Sequence, residues 1–149
     1  MYLDERLEIG DALALSTVGT GYALLGDVID LGLAGRNPGV GEPLYLVIQV
    51  TTAFDSAGDA LIAQFILASD AQAAIAVDGS ATEHVATPLI AQATWAAGYT
   101  VVLALPQGAA YERYLGLIQN ATVAAASAGA VNCFITADVA QWKAFARGD

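Results

Sequence analysis

Apolar and polar residues alternate with period two along much of the chain. In "LYLVIQVTT", Leu44, Leu46, Ile48 and Val50 fall on one face. This is the pattern of a half-buried strand, whose successive side chains point to opposite sides. "ALIAQFILAS" sets Leu61, Ala63, Phe65 and Leu67 opposite Ile62, Gln64 and Ile66. "ERYLGLIQNAT" aligns Arg113, Leu115, Leu117 and Gln119, and "AVNCFITADV" aligns Val131, Cys133, Ile135 and Ala137. Shorter runs, "YALLGDVIDLG", "AAIAVDGS", "EHVATPLIA" and "YTVVLALP", complete the series. Turn clusters such as "FDSAGD", Asp78-Gly79 and Pro106-Gln107-Gly108 separate them. Pro88 demotes its run to an edge strand or a loop–strand junction. About eight short strands at this spacing predict an all-β fold, a β-sandwich, jelly roll or barrel. The alanine-rich "LIAQATWAAG" and "ATVAAASAGAV" predict a short helix at most. Residues 1–20 are the least regular, with Gly10 interrupting "LDERLEIGDALAL", and read as an N-terminal arm that orders against a partner. Residues 21–149 then form the sandwich domain.

Composition narrows the function classes. The 149 residues fit one domain, large enough to hold a core without staples. Fifteen acids against five bases give a net charge of -10. No basic footprint for nucleic acid is visible in that balance. Hydrophobic residues make up 56%, yet the longest weakly polar stretch, Leu89 to Pro106, contains Gln92, Thr94, Gly98 and Thr100. A membrane span needs about 20 mostly apolar residues, so no membrane partner is expected. An apolar chain without a span buries surface against other chains. The single cysteine, Cys133, rules out an intrachain disulfide. "MYLDERLEIGD" lacks the basic-then-apolar order of a signal peptide, so synthesis in a reducing cytoplasm is the expectation.

Catalytic and metal-binding patterns are weak. His84 is the sole histidine and sits in a strand-like run; without G-x-S-x-G it reads as a partly exposed strand residue. Cys133 lies among apolar neighbours and reads as core. One His and one Cys do not make a usual zinc site. "DSAGD" at 55–59 lacks the calcium-loop order and its distal Glu. Asp27 and Asp30, three apart in a strand, point to opposite faces and do not make a carboxylate pair. Tyr99, Tyr111, Tyr114, Trp95 and Trp142 suit core packing and protein contact better than base stacking. No cofactor, metal or catalytic residue is expected.

The knot of turn residues "RNPGVGEP" before the strand "LYLVIQV" raises the question of a ligand loop. A phosphate loop would place Gly before Lys and a helix; here Glu42 follows Gly41, and a strand follows both. Pro38 and Pro43 stiffen the corner, and Gly39 and Gly41 open backbone angles closed to other residues. Arg36 and Glu42 stand on its rim. A rigid, charged corner suits docking to a protein.

These segments also resemble a family. "DVIDLG", "PGVGEPLYLVIQV", "AGYTVVLALPQG", "ERYLGL" and "AVNCFITADV", with "LDERLEIGDA" before them, are similar in order to the jelly-roll capsid cement (decoration) proteins of tailed bacteriophages. The resemblance spans roughly Asp27 to Val139 and implies a jelly-roll-like antiparallel β-sandwich with no enzymatic role. It implies attachment to the outer surface of the virion, with the major capsid protein and further copies of itself as partners, as a dimer in preference to a trimer. Arg36, Gly39, Gly41 and Glu42 of the corner, the N-terminal arm and Arg113 are the candidate capsid contacts. An ordinary ion pair with Glu112 or another acid is the competing reading of Arg113. A carbohydrate-binding jelly-roll module of a virion is the alternative function. A cupin-like enzyme would need two or three histidines around a metal.

Overall fold

A computed structural model describes residues 5–32, 38 and 41–139. Nine strands run β1 (Glu8–Ala14), β2 (Gly21–Asp30), β3 (Tyr45–Ser56), β4 (Ile62–Asp70), β5 (Thr82–Ala86), β6 (Ile90–Ala91), β7 (Thr100–Ala104), β8 (Tyr114–Thr122) and β9 (Ala126–Thr136). They form two antiparallel sheets, β1-β9-β3-β7 and β2-β8-β4-β5, with the two-residue β6 added to β4. Setting β6 aside, the first strand pairs with the last and the second with the last but one, which is jelly-roll order. Three short 3₁₀ turns, Glu5–Leu7, Ala57–Asp59 and Gln92–Thr94, lie among the described residues. No described helix is long and apolar enough to cross a membrane.

The alternating runs bury the faces that their pattern assigns. Leu46, Ile48 and Val50 of β3 and Val131, Cys133 and Ile135 of β9 face Ala63, Phe65 and Leu67 of β4 and Leu115 and Leu117 of β8 in one core. Each such aliphatic or aromatic side chain contributes about 1.5–3 kcal/mol when fully buried. Trp95, fully buried, stacks on Phe54 at 5.1 Å and meets Phe65 edge-on at 5.2 Å. Its indole N–H donates to the Ile90 carbonyl, so the polar end of the ring is satisfied. The alanine-rich stretches form no long helix: one holds the turn Gln92–Thr94 and the other opens β9.

Two segments depart from the sequence reading. Residues 8–14 are not an arm waiting for a partner; they pair with β9, and Ile9 is fully buried. Register shifts at Glu8/Gly10 and Gly10/Leu13 break the period-two pattern that would have announced a strand. Conversely, "AAIAVDGS" is not a strand. Residues 71–81 fold back over the outward side of the second sheet, where Ile75 packs on Ile66, Ala68 and Ile118. A small second core results, outside the sandwich. Asp70 fastens this loop by accepting the N–H groups of Gln72 (3.2 Å) and Ala76 (3.0 Å). These hydrogen bonds hold its carboxyl below the ordinary carboxylate range.

Candidate functional site

The corner joins β2 to β3. Its two stems are fixed to the loop between β7 and β8: Leu31 N–H donates to the Arg113 carbonyl (2.8 Å), and Leu105 N–H donates to the Leu44 carbonyl (2.9 Å). Arg113 therefore lies at the root of the corner, so two candidates far apart in sequence meet at one end of the sandwich. Gly41 is exposed with φ +88°, a left-handed angle that favours glycine, and Glu42 beside it is exposed. Arg36 and Gly39 lie outside the described residues, as does Trp142.

Arg113 is engaged within the chain. Its Nε and Nη2 donate to the two carboxylate oxygens of Asp30 at 2.9 and 2.8 Å, and its guanidinium lies 4.9 Å from the Tyr114 ring centre. Its acid partner is Asp30, not Glu112, which accepts from the Thr82 hydroxyl instead. The Arg113 hydrogen bond, with the Gly32 N–H, lowers the Asp30 carboxyl from 3.8 to about 2. The side chains are 46% and 44% exposed, so this paired charge remains open to a partner.

His84 sits half buried in β5, as a strand residue. The register jumps from Leu67↔Val85 to Ala68↔Glu83, leaving His84 as the extra residue of a bulge. Its ring stacks on Tyr111 (4.0 Å, 21°), and its Nε2 lies 2.7 Å from the Ser69 hydroxyl. This serine–histidine pair escaped the sequence reading because it depends on the β4–β5 register across an eleven-residue loop, 71–81. Ser69 is fully buried, and its oxygen also accepts the Glu112 N–H (3.0 Å). In this geometry the hydroxyl ties three segments together, out of contact with solvent. Burial lowers the His84 pKa, with Glu112 opposing. Cys133 is fully buried in the core, which pushes its thiol pKa far up. Asp55 accepts from the Ser127 hydroxyl and Asp59 from the Gln92 amide, so each serves a local hydrogen bond. No group of three metal-ligating side chains occurs among the described residues.

A cleft that the sequence did not announce opens beside the folded-back loop. Its volume is about 460 Å³, and Tyr22, Val77, Asp78, Gly79, Glu83 and Ile118 line it with two alanines. The one signal in the sequence was the Asp78-Gly79 turn, which forms the loop tip.

The fold and these surroundings define a jelly-roll sandwich with an acidic cleft. A family model described as Bbp16 matches residues 13–135, from within β1 to within β9, and so covers nearly the whole sandwich. The chain belongs to this Bbp16 family, which is phage-related. No curated protein matches the sequence.

Proposed function

We propose that the protein is a bacteriophage capsid cement, or decoration, protein that binds the outer capsid surface and bridges neighbouring major capsid proteins. Membership of a phage-related family, matched across the sandwich, is the observation that carries this reading. The jelly-roll fold and the apolar, acidic composition accord with it. Packaged DNA loads the seams between capsomers from within. A protein spanning a seam binds the assembled lattice better than separated subunits, and by linkage this difference stabilises the shell. A standard interface takes about 800 Å² from each partner. Two such contacts would use about a fifth of the 7710 Å² surface, leaving room for self-association. Once one contact is made the second is intramolecular, so avidity adds strength without new contact types.

The test is to mix the purified protein with expanded capsids that lack it and to count bound copies by cryo-microscopy. Ordered density at seams, with a raised capsid melting temperature, is the expected result; a bare shell refutes the proposal. The carbohydrate-binding alternative has one observation in its favour, the half-exposed ring of Tyr22 at the cleft. A glycan array without hits would remove it.

A further inference from the structure

We infer that the cleft beside the β4–β5 loop is a docking groove for a basic, aliphatic peptide segment of a protein partner. The floor is Ile118, almost fully buried, and the walls are the exposed faces of Tyr22 and Val77. These surfaces suit the methylene stem of a lysine or arginine, and an aromatic face attracts the cationic head. A volume of about 460 Å³ is that of a small-ligand site and takes one or two such side chains.

Charge selects the occupant. Asp78 and Glu83 stand at the cleft, and among the described residues no arginine or lysine lines it. The Ser80 hydroxyl and N–H both donate to Oδ1 of Asp78. Those bonds keep the Asp78 carboxyl below the ordinary range, and so charged. Both go to Oδ1, no side chain among the described residues donates to Oδ2, and Glu83 likewise accepts no side-chain hydrogen bond from them. Arg113, the nearest base in sequence, is committed to Asp30. A pair of carboxylates over an apolar floor complements an amphipathic cation and repels an acidic or phosphorylated segment.

The groove is built rather than incidental. Ile75 anchors the loop in the second core, Asp70 ties its base, and the Asp78–Ser80 turn fixes its tip. Its walls are therefore largely set before a partner arrives, which limits the ordering cost of binding.

The test is a titration of the ¹⁵N-labelled full chain with the peptide acetyl-Lys-Leu-Lys-Leu-Lys-amide. Its glutamate counterpart and N-acetylglucosamine serve as the other two arms. Saturable shifts at the amides of Tyr22, Val77, Asp78 and Glu83 are expected with the lysine peptide alone. In the double variant Asp78→Asn, Glu83→Gln, binding should weaken about five- to twentyfold, since each exposed ion pair is worth up to a factor of about five. The asparagine can keep the turn with Ser80, so the loop should stay folded, and unchanged amide shifts elsewhere check this. Binding that is equally strong in the variant overturns the inference. So does the absence of saturation at millimolar peptide, or a response to the sugar instead. The titration reads free protein, so its outcome is independent of the capsid experiment.

Discussion

Ile75 and Gly116 should behave as one unit in stability measurements. A Cβ added at Gly116 would lie 2.7 Å from Ile75 Cδ1 and 3.1 Å from Leu24 Cδ1, so the outer face of β8 is bare at that point because Ile75 fills it. Ile75→Ala removes three buried carbons, about 2.4 kcal/mol at about 0.8 per carbon. The site lies under a surface loop that can settle, so the total should stay near the lower end of the usual 2–5 kcal/mol. Gly116→Ala alone introduces overpacking of about 1–3 kcal/mol, offset by about 0.5–1 because glycine weakens a strand interior. The net is a loss of about 1 kcal/mol. With Ile75 already truncated, the 2.7 Å clash disappears and the new methyl fills part of the gap. The second change should then be neutral or slightly stabilising, giving a coupling of about 1–2 kcal/mol between the two sites. Urea unfolding of the four proteins at one fixed concentration measures it, since self-association would shift apparent stability. Additivity within about 0.5 kcal/mol would mean that Ile75 does not sit on Gly116 and that the second core is misplaced.

Arg113→Gln should abolish a pH-dependent share of stability. The folded Asp30 carboxyl is depressed from 3.8 to about 2, so its ion pair contributes fully above pH 3.8 and is lost as pH falls toward about 2. Because both partners are exposed, salt should shrink the effect; an unchanged acid melting profile in the variant would contradict the pairing. For His84, burial lowers the pKa below 6.5, so stability is complete above that value and declines as pH falls below it, toward the folded pKa. An NMR titration of its ring should give a midpoint below 6.5, and a midpoint above it would show that Glu112 outweighs burial. Cys133 should resist a thiol reagent in native protein at pH 8 and react in full once urea unfolds the chain; rapid native labelling would place it outside the core.

The sequence revealed strands whose inward residues recur at period two. Leu46, Ile48 and Val50, or Phe65 and Leu67, point into the sandwich core, although Val47, Ile66 and Ala68 on the opposite faces are buried as well. β1 was hidden because its register slips twice within seven residues, so Ile9 and Leu13 pack inward without a steady period. The run Ala73–Val77 misled for the opposite reason. It is apolar enough for a strand, yet only Ile75 among its five residues is deeply buried, and it covers a sheet instead of joining one. The corner was legible as a corner from its prolines and glycines. Its neighbour Arg113 was legible only as an exposed base, because the Asp30 pairing depends on β2 lying beside β8. The cleft needed the loop's fold-back, which no local pattern encodes.

The topology also bears on which contact a brace could use. A force reaching residues ahead of β1 passes into an edge strand whose ladder with β9 is interrupted twice. A force on the corner is shared by its two stems, the edge strand β2 and β3, and β3 is hydrogen-bonded on both sides, to β9 and to β7, with continuous register from Tyr45 to Gln49. Pulling along β3 would have to shear both ladders at once, whereas β1 can detach by breaking one. If the protein holds a loaded seam, the corner is the attachment suited to carry tension, and the N-terminal segment is suited to positioning. Truncating residues 1–4 should then slow attachment more than it lowers the capsid's final heat resistance, while Glu42→Lys should lower both. The reverse ranking would place the tension-bearing contact at the N-terminus and count against force transfer through β3.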